Sequence, residues 1–383
     1  MTSITSPARV AEIAVVAPLD KILNYAIPAR LADEIGIGSR VRVPLGRRQV
    51  VGYVMNWAEP GDAKLKDILE VIDPHPLFHQ NHAAFYLRAA RYYVYPPGQA
   101  VRTTLPAGLS ALDSKPTVLS DKLYRATDRD EQPQGARQRE ILDYVRAKNE
   151  CPLSQLRETF SAPHAALQRL VELKFLQFEE IERCRDPFAE IEVVEHCPVE
   201  LNAAQQVAVT AVQAALDGPS TFAPFLLHGV TGSGKTEVYL RSIAKVLEEG
   251  RQALVLVPEI ALTPQLVTRF RSWFQNHGVR LAVLHSGLSD GERYDAWRQV
   301  ARGDVDVVIG ARSTVFAPLP ELGLIVVDEE HDGSYKQSEG FRYNARDLAL
   351  MRGQMEEAVV ILGSATPVLT SYQRSLGGHL TRL

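Results

Sequence analysis

The chain has 383 residues, of which 45% are hydrophobic, and its formal net charge is −4 at pH 7. This length predicts about two or three domains with buried cores, and the slightly acidic balance excludes a globally basic nucleic-acid-binding protein while allowing a local basic surface. The 3 cysteines are far apart and form no C-x-x-C pair, so the sequence predicts no zinc site and favours free thiols in a reducing cytoplasm. Neither a signal-peptide core nor an apolar run of roughly 18 residues is present, so we expect a cytoplasmic protein that does not enter a membrane.

Residues 1–110 alternate apolar and polar side chains in short runs, a pattern typical of strands. Such runs cover residues 11–16, 39–44 and 49–55, and an apolar helical stretch covers 82–93. A small β-rich domain is therefore predicted over residues 1–110.

The middle of the chain changes its pattern twice. Residues 111–135 are polar and rich in Asp, Gln and Pro, which predicts a linker. Over 136–182, apolar residues recur at helical spacing and precede an apolar run at 175–178, which favours a winged-helix domain that binds DNA through its third helix, near 163–173. A structural or protein-contact module is the alternative, because fold alone does not give function. Residues 183–200 are predicted to form a second linker.

Residues 201–383 alternate near-continuous apolar runs with helical segments, which predicts a doubly wound α/β domain with a mostly parallel sheet. The predicted strands cover residues 225–227, 253–257, 281–284, 305–309, 324–327 and 359–362. Ligands of such folds bind beyond the carboxyl ends of the strands, and the motifs below follow those ends.

The segment 229–236, G-V-T-G-S-G-K-T, fits the phosphate-binding loop G-x-x-x-x-G-K-[ST], lies after a predicted strand and opens a predicted helix. Lys235 is expected to reach the β- and γ-phosphates of ATP, and the Thr236 hydroxyl to hold Mg²⁺. Asp328 follows another apolar run and is expected to hold the same metal, while Glu329 orients the attacking water. The other residues predicted to surround the nucleotide are Gly229, Thr231, Gly232, Ser233 and Gly234.

Further motifs also follow predicted strands. Ser364 and Thr366 of G-S-A-T-P are expected to bond the Asp-Glu segment and report the state of the γ-phosphate, as in superfamily 2 helicases. The segments 257–265 and 310–313, the latter with Arg312, suit contacts with a phosphodiester backbone. Ordinary turns are the alternative for both.

The stretch 332–346 interleaves aromatic and cationic side chains and has no apolar period, which favours a mobile loop that binds single-stranded DNA. Bases are expected to stack on Tyr335, Phe341 and Tyr343, while Lys336 and Arg342 contact phosphates. A surface loop with two aromatic rings in the core is the alternative.

Taken together, these motifs resemble the PriA family of bacterial replication-restart helicases over essentially the whole chain. The strings that carry the resemblance are G-V-T-G-S-G-K-T, V-P-E-I-A-L-T-P-Q, L-H-S-G-L-S-D, D-E-E-H, S-Y-K-Q-x-E-G-x-R-Y-x-A-R-D-L-A and G-S-A-T-P. The resemblance implies an ATP-dependent 3′→5′ DNA helicase whose partners are forks, D-loops and single strands, with single-strand-binding protein and primosome loaders as possible protein partners. It also implies a DNA-binding domain over 1–110 that holds a 3′ end, a winged helix over 136–182, and a RecA-like first helicase lobe over 201–383.

The resemblance also carries over individual residues. Gln205 matches an adenine-reading glutamine, and His331 is expected to couple nucleotide state to DNA together with Ser364 and Thr366. The residues implied for the 3′-end pocket and for a basic edge that meets backbone phosphates are Asn24, Tyr25, Gly46, Lys66, Arg40, Arg42, Arg47 and Arg48.

Members of the family continue into a second helicase lobe, a zinc-binding insertion and a C-terminal domain, which this chain lacks. The second lobe supplies an arginine of a kind worth about 10³–10⁵ in rate in related phosphoryl-transfer enzymes. We therefore expect this chain alone to bind DNA and nucleotide, to hydrolyse ATP slowly and not to unwind DNA. The alternatives are a non-enzymatic fork-binding module and another phosphate-loop enzyme such as a kinase.

Overall fold

The computed structural model describes residues 9–59, 61, 64–106, 109, 119–183, 185, 199–218, 222–274 and 278–383. The chain divides into two compact units, one formed by Met1–Pro116 with Asp186–Leu383 and the other by Thr117–Arg185. Among the described residues, no helix is both long and apolar enough to cross a bilayer. Cys184 and Cys197 lie outside the described residues, and Cys151 is a buried free thiol whose pKa is raised by that burial.

The first unit begins with a five-stranded antiparallel sheet in the order β2-β1-β4-β3-β5, which confirms the predicted β-rich domain. Its strands are β1 (Val10–Val15), β2 (Leu23–Ala26), β3 (Arg40–Leu45), β4 (Arg48–Ala58) and β5 (Glu70–Val71). Two helices follow, α1 (Gln80–Tyr92) and α2 (Pro97–Thr104). Gly46 lies in the turn between the paired residues Leu45 and Arg48 and has φ 61°, a conformation that glycine adopts without strain.

The second unit has three helices and a three-stranded antiparallel sheet in the order β7-β6-β8. In chain order its elements are β6 (Leu119–Ala126), α3 (Ala136–Lys148), β7 (Glu150–Pro152), α4 (Leu153–Thr159), α5 (His164–Glu172) and β8 (Leu176–Arg183). The prediction of a linker over 111–135 is wrong for β6, which pairs with β8 along its whole length. Only Tyr124 of β6 is buried, so its sequence carries no strong apolar pattern. The helices and the strand that the winged-helix prediction needs are present, and that assignment stays a prediction.

The rest of the first unit is an α/β lobe around a seven-stranded sheet in the order β11-β12-β10-β13-β14-β9-β15, in which every pair is parallel. Its strands are β9 (Pro224–His228), β10 (Gln252–Leu256), β11 (Leu281–Leu284), β12 (Val307–Gly310), β13 (Leu322–Val327), β14 (Val359–Ser364) and β15 (Thr381–Arg382). Its helices are α6 (Ala203–Leu216), α7 (Lys235–Glu248), α8 (Pro264–Phe274), α9 (Asp290–Arg302), α10 (Ala345–Met355) and α11 (Leu369–Leu376). The six predicted strands are all present, and the two-residue β15 was not predicted.

The N-terminal sheet domain and the α/β lobe share one hydrophobic core. Tyr86 of α1 donates its hydroxyl to the Phe316 carbonyl at 2.7 Å, and the Trp297 indole N–H of α9 donates to the Leu77 carbonyl at 2.9 Å. Helix α1 is therefore as much a part of the lobe's core as of its own domain, so the two parts of this unit are held together by buried apolar surface.

Candidate nucleotide and nucleic-acid sites

The phosphate-binding loop, residues 229–236, joins β9 to α7 at the carboxyl edge of the parallel sheet. Gly232 and Gly234 have φ 78° and 81°, which directs successive backbone N–H groups into the loop. Lys235 Nζ donates to the Gly229 carbonyl at 2.9 Å and lies 3.5 Å from Glu329 Oε1. The predicted lysine and the predicted water-orienting carboxylate therefore face each other beside a helix N-terminus, which is suited to anions.

Gln205 contacts this loop directly from the first turn of α6. Its side-chain oxygen accepts from the Asn202 N–H at 2.9 Å in a capping box, and its amide nitrogen donates to the Ser233 carbonyl at 2.9 Å. A Cβ on Gly234 would lie 2.3 Å from that amide nitrogen, so a larger residue would displace the Gln205 amide, and the φ of 81° already favours glycine. The structure gives Gln205 a role in holding the loop, and adenine reading stays a prediction.

Asp328, which directly follows β13, is held by Tyr239, which sequence reasoning missed, and by Tyr335, which was expected to stack on DNA bases. Tyr239 of α7 donates its hydroxyl to Asp328 Oδ1 at 2.9 Å, and Tyr335 donates to the Asp328 carbonyl at 2.6 Å. Burial raises the pKa of Asp328, so its ionised form is poorly stabilised by the protein. A hard oxygen donor with an uncompensated charge fits Mg²⁺, and Thr236 lies half-buried in the adjacent first turn of α7.

The three residues expected to couple nucleotide and DNA lie together. His331 Nδ1 is 2.8 Å from Ser364 Oγ, and the Thr366 N–H donates to the same oxygen at 3.1 Å. Glu329 Oε2 lies 3.5 Å from His331 Nδ1, and Glu329 has φ 45°, which is uncommon for a residue with a side chain and frequent at functional sites. The strand ends of β13 and β14 are thus bonded through the predicted side chains, while their coupling role stays a prediction.

Glu330 is a site residue that sequence reasoning missed. It is 1% exposed and accepts hydrogen bonds from the Val368 N–H at 2.8 Å, from Ser371 Oγ at 3.0 Å and from Arg346 Nη1 at 3.3 Å. A buried carboxylate needs such partners. It joins the segment that follows the catalytic carboxylates to the beginning of α11 and to Arg346 at the start of α10, and its place in D-E-E-H was the only signal.

The prediction that bases stack on the rings of the 332–346 loop is wrong. Tyr335, Phe341 and Tyr343 are 1%, 1% and 3% exposed, because they pack into the core that the lobe shares with the N-terminal domain. Phe341 stacks on Tyr95 with ring centroids 5.3 Å apart. Burial also raises the pKa of Tyr343 to about 12, in keeping with a ring removed from water.

Hydrogen bonds also fix the backbone of the 332–346 loop, which was predicted to be mobile. Arg312 Nη1 donates to the Ser334 and Lys336 carbonyls at 3.0 and 3.1 Å, and the Gln337 N–H donates to the Tyr343 carbonyl at 2.9 Å. Arg312 thus fixes this loop through Nη1, and its predicted contact with a DNA backbone stays a prediction. Lys336 and Arg342 are exposed, as the predicted phosphate contacts require.

The other segments expected to meet a phosphodiester backbone border one cavity. The cavity has a volume of about 240 Å³ and lies between the ends of β10, β11 and β12 and the end of α2. Its lining includes Glu259, Ser286, Ser313 and Thr103. Hydroxyl groups from both parts of the unit therefore face the same space, a contribution of α2 that the sequence did not indicate.

Part of the predicted 3′-end pocket lies together at the β3–β4 turn of the N-terminal sheet. Lys66 Nζ lies 3.4 Å from the Gly46 carbonyl, and Tyr25 donates its hydroxyl to the Pro44 carbonyl at 3.1 Å. Asn24 and Lys66 are exposed, whereas Tyr25 is 3% exposed. The buried Tyr25 therefore supports the β3–β4 turn from inside the protein, whereas Asn24, Gly46 and Lys66 are accessible to a ligand.

The predicted basic edge is smaller than the sequence suggested. Arg40 is 0% exposed and forms a two-pronged ion pair with Asp73, with both N–O distances 2.8 Å, so its expected DNA contact is wrong. Arg42 Nη2 pairs with Glu70 Oε1 at 3.0 Å. Arg47 and Arg48 are exposed at the β3–β4 turn beside Gly46. Arg40 and Arg42 lie on the same face of β3, so alternation alone does not separate them. Arg40 is buried where Asp73, a carboxylate from a distant segment, pairs with it.

Comparison with known protein families agrees with this architecture. Residues 12–106 match the family described as the PriA 3′ DNA-binding domain, and residues 202–374 match the DEAD/DEAH box helicase family. The two matches cover the N-terminal sheet domain and the α/β lobe.

Several curated relatives are similar to this chain in sequence. The replication restart protein PriA of Bacillus subtilis is 33% identical over 94% of this chain and 53% of its own length. The PriA of Haemophilus influenzae is 36% identical over 98% of this chain and 51% of its own length, and that of Synechocystis is 57% identical over 38% of this chain and 17% of its own length. This chain spans about half the length of the first two relatives. A solved structure of RecG bound to a three-way DNA junction is 25% identical over 49% of this chain and 24% of that one, with a TM-score of 0.37, a likeness too slight to bear on function.

Proposed function

Because this chain belongs to the PriA family of replication restart proteins, we propose that it is the DNA-binding and nucleotide-binding part of an ATP-dependent superfamily 2 DNA helicase that moves 3′→5′ and acts at stalled forks in the cytoplasm. The observation that carries the proposal is the meeting of Lys235, Asp328 and Glu329 at one edge of the parallel sheet, next to a glycine loop that opens a helix.

The chemistry follows from the positions of these side chains. Lys235 binds the β- and γ-phosphates, and the loop N–H groups bind the remaining phosphate oxygens. Thr236 and Asp328 would hold Mg²⁺, which neutralises charge on the transferred phosphoryl group when bound. Glu329, 3.5 Å from Lys235, orients the attacking water.

The DNA substrate is proposed from the N-terminal sheet domain. Asn24 offers both a donor and an acceptor for a terminal hydroxyl, while Lys66, Arg47 and Arg48 supply positive charge for the last phosphates. Single-strand-binding protein and primosome loaders are proposed partners on the strength of family membership alone.

One experiment tests the nucleotide part of the proposal. We expect the chain to bind a fluorescent ATP analogue only with Mg²⁺, and Lys235→Ala to abolish that binding. The matched control is Lys245→Ala, which removes a lysine of the same helix that pairs with Asp217 and Glu249 and should bind as the unmodified chain does. Unchanged binding by Lys235→Ala would refute the assigned site.

Hydrolysis by the chain is expected to be slow and to depend on Lys235. Stimulation by single-stranded DNA of about 10³-fold or more would contradict the proposal that the chain alone is catalytically incomplete. Fork binding without any nucleotide binding would instead favour a non-enzymatic fork-binding module.

A further inference from the structure

The end of helix α1 presents an exposed face that carries two cations and an aromatic ring. Arg88, Arg91 and Tyr92 stand at positions i, i+3 and i+4 and therefore lie on one side of the helix. Both arginines are exposed and neither forms an ion pair with any described residue. Tyr92 is 62% exposed, whereas most large rings of this unit that the structure describes are buried.

The residues that follow hold this ring in place. Tyr93 meets Tyr92 edge to face with ring centroids 4.9 Å apart. Val94 has φ 50° and is 91% exposed, an unusual combination because a β-branched side chain strongly disfavours the left-handed region. The strain is sustained by backbone bonds from the Val94 N–H to the Arg91 carbonyl at 3.2 Å and from the Tyr95 N–H to the Ala90 carbonyl at 2.9 Å. These bonds close the C-terminal end of α1, where a left-handed residue is common, and they fix the position of the chain that follows Tyr92.

The loop that follows the catalytic carboxylates meets the same surface. The Asn344 N–H donates to the Tyr93 hydroxyl at 3.0 Å, and Lys336 Nζ lies 5.5 Å from the centre of the Tyr93 ring. Lys336 also donates to the Arg342 carbonyl at 2.6 Å. Lys336 therefore lies over Tyr93, the ring that contacts Tyr92, and is bonded to the backbone of Arg342, a second exposed cation. Between positions 336 and 343 these two cations are accompanied by a single carboxylate, Glu339.

We propose that this surface, formed by Arg88, Arg91, Tyr92, Val94, Lys336 and Arg342 and called here the Tyr92 platform, binds single-stranded nucleic acid. Sequence-tolerant single-strand sites combine a ring on which a base stacks with cations that follow the backbone, and this surface has both. The rings of the loop itself are buried, so Tyr92 is the ring that this site offers.

The platform rests on the proposed function but is separate from the 3′-end pocket. A strand on it touches α1 of the DNA-binding domain and the loop whose Tyr335 bonds the Asp328 carbonyl at 2.6 Å. Lys336 of the platform directly follows Tyr335 in the chain, so a bound strand would contact a residue next to the tyrosine that bonds Asp328, the residue expected to hold the metal.

The test uses a closed circle of single-stranded DNA, which has no 3′ end and cannot occupy the 3′-end pocket. With the 383-residue chain, fluorescence anisotropy should show that Tyr92→Ala weakens binding of the circle by about 5- to 150-fold. Tyr92→Phe should bind as the unmodified chain does, because the ring is kept. Lys336→Ala and Arg342→Ala should each reduce the slope of log affinity against log salt concentration by about 0.7.

The outcomes separate the two proposals. Undiminished binding of the circle by Tyr92→Ala, or equal loss in Tyr92→Phe and Tyr92→Ala, would overturn the platform. Binding of linear strands but not of the circle would also overturn it and leave the 3′-end pocket standing. Failure to bind any single strand would instead count against the proposed function. An unchanged thermal melting curve of Tyr92→Ala, followed by tryptophan fluorescence, checks that the fold is intact.

Discussion

Removal of the Glu330 carboxylate should be among the most damaging single changes in this chain. The Glu330→Ala variant leaves the half-buried Val368 N–H and the buried Ser371 hydroxyl without their acceptor, and Arg346 without one of its two carboxylate partners. An orphaned buried donor costs about 1–3 kcal/mol, and loss of one member of a buried ion pair costs about 3–5 kcal/mol. Because Arg346 keeps Asp347 at 3.0 Å, we expect the unfolding free energy to fall by about 3–5 kcal/mol in all.

The charge and the hydrogen bonds of Glu330 can be separated. Glu330→Gln keeps an oxygen that can accept from the Val368 N–H but loses the attraction to Arg346, so a smaller loss of about 1–3 kcal/mol is expected. A double-mutant cycle with Arg346→Ala should give a coupling energy of about 1–3 kcal/mol, because the two side chains are in contact.

Urea denaturation followed by tryptophan fluorescence measures the unfolding free energy of the first unit, which contains Glu330. The 3 tryptophans, Trp57, Trp273 and Trp297, all belong to the first unit, so unfolding of Thr117–Arg185 is silent. Glu339→Ala is the matched control, since it removes an exposed glutamate nearby and should stay within about 0.5 kcal/mol of the unmodified chain. A Glu330→Ala value equally close to the unmodified chain would refute the reasoning.

Burial and charge also determine the effects of substitutions at Asp328, Phe341, Arg40 and Arg47. Burial raises the pKa of Asp328 above its unfolded value, so the ionised carboxylate destabilises the fold fully above the folded pKa and not at all below the unfolded pKa. Asp328→Asn should therefore raise the melting temperature at pH 7, and the gain should become smaller as the pH falls. The same variant should abolish Mg²⁺-dependent nucleotide binding. Phe341→Ala should lower the unfolding free energy by about 3–5 kcal/mol, since its ring is 1% exposed; a loss of DNA affinity without a loss of stability in urea would contradict this. Arg40→Ala should lower the unfolding free energy by about 3–5 kcal/mol, because it leaves Asp73 buried and unpaired. Arg47→Ala should leave the unfolding free energy unchanged and reduce the slope of log affinity for DNA against log salt concentration by about 0.7–0.9. The opposite result in the two assays would show that Arg40 contacts DNA.

Much of the candidate nucleotide site could be predicted because its features are local. The phosphate loop needs its glycines and lysine at fixed spacing between a strand and a helix, and those lie within residues 224–248. Asp328 and Ser364 each follow an apolar run, and the carboxyl ends of parallel strands meet at one edge. Their closeness was therefore predictable, although the strand order was not.

The contacts that hold the site needed the tertiary structure. Tyr239 bonds Asp328 across 89 positions in the chain, and Arg40 pairs with Asp73 across 33. The local sequence around an arginine on an alternating strand is the same whether that arginine is exposed to solvent or paired with a buried carboxylate. Strand β6 was missed for a related reason, because only Tyr124 of it is buried.

The sequence by itself determined the α/β lobe, the phosphate grip and the carboxylates beside it, since strand and helix periods and glycine spacing are properties of short segments. The tertiary structure alone decided which aromatic rings meet solvent. Phe341 and Tyr343 occur in a polar stretch but lie within the core that α1 and the lobe build together, whereas Tyr92 ends an apolar helix and is exposed. Burial depends on which distant surfaces come together, and no local pattern contains that information.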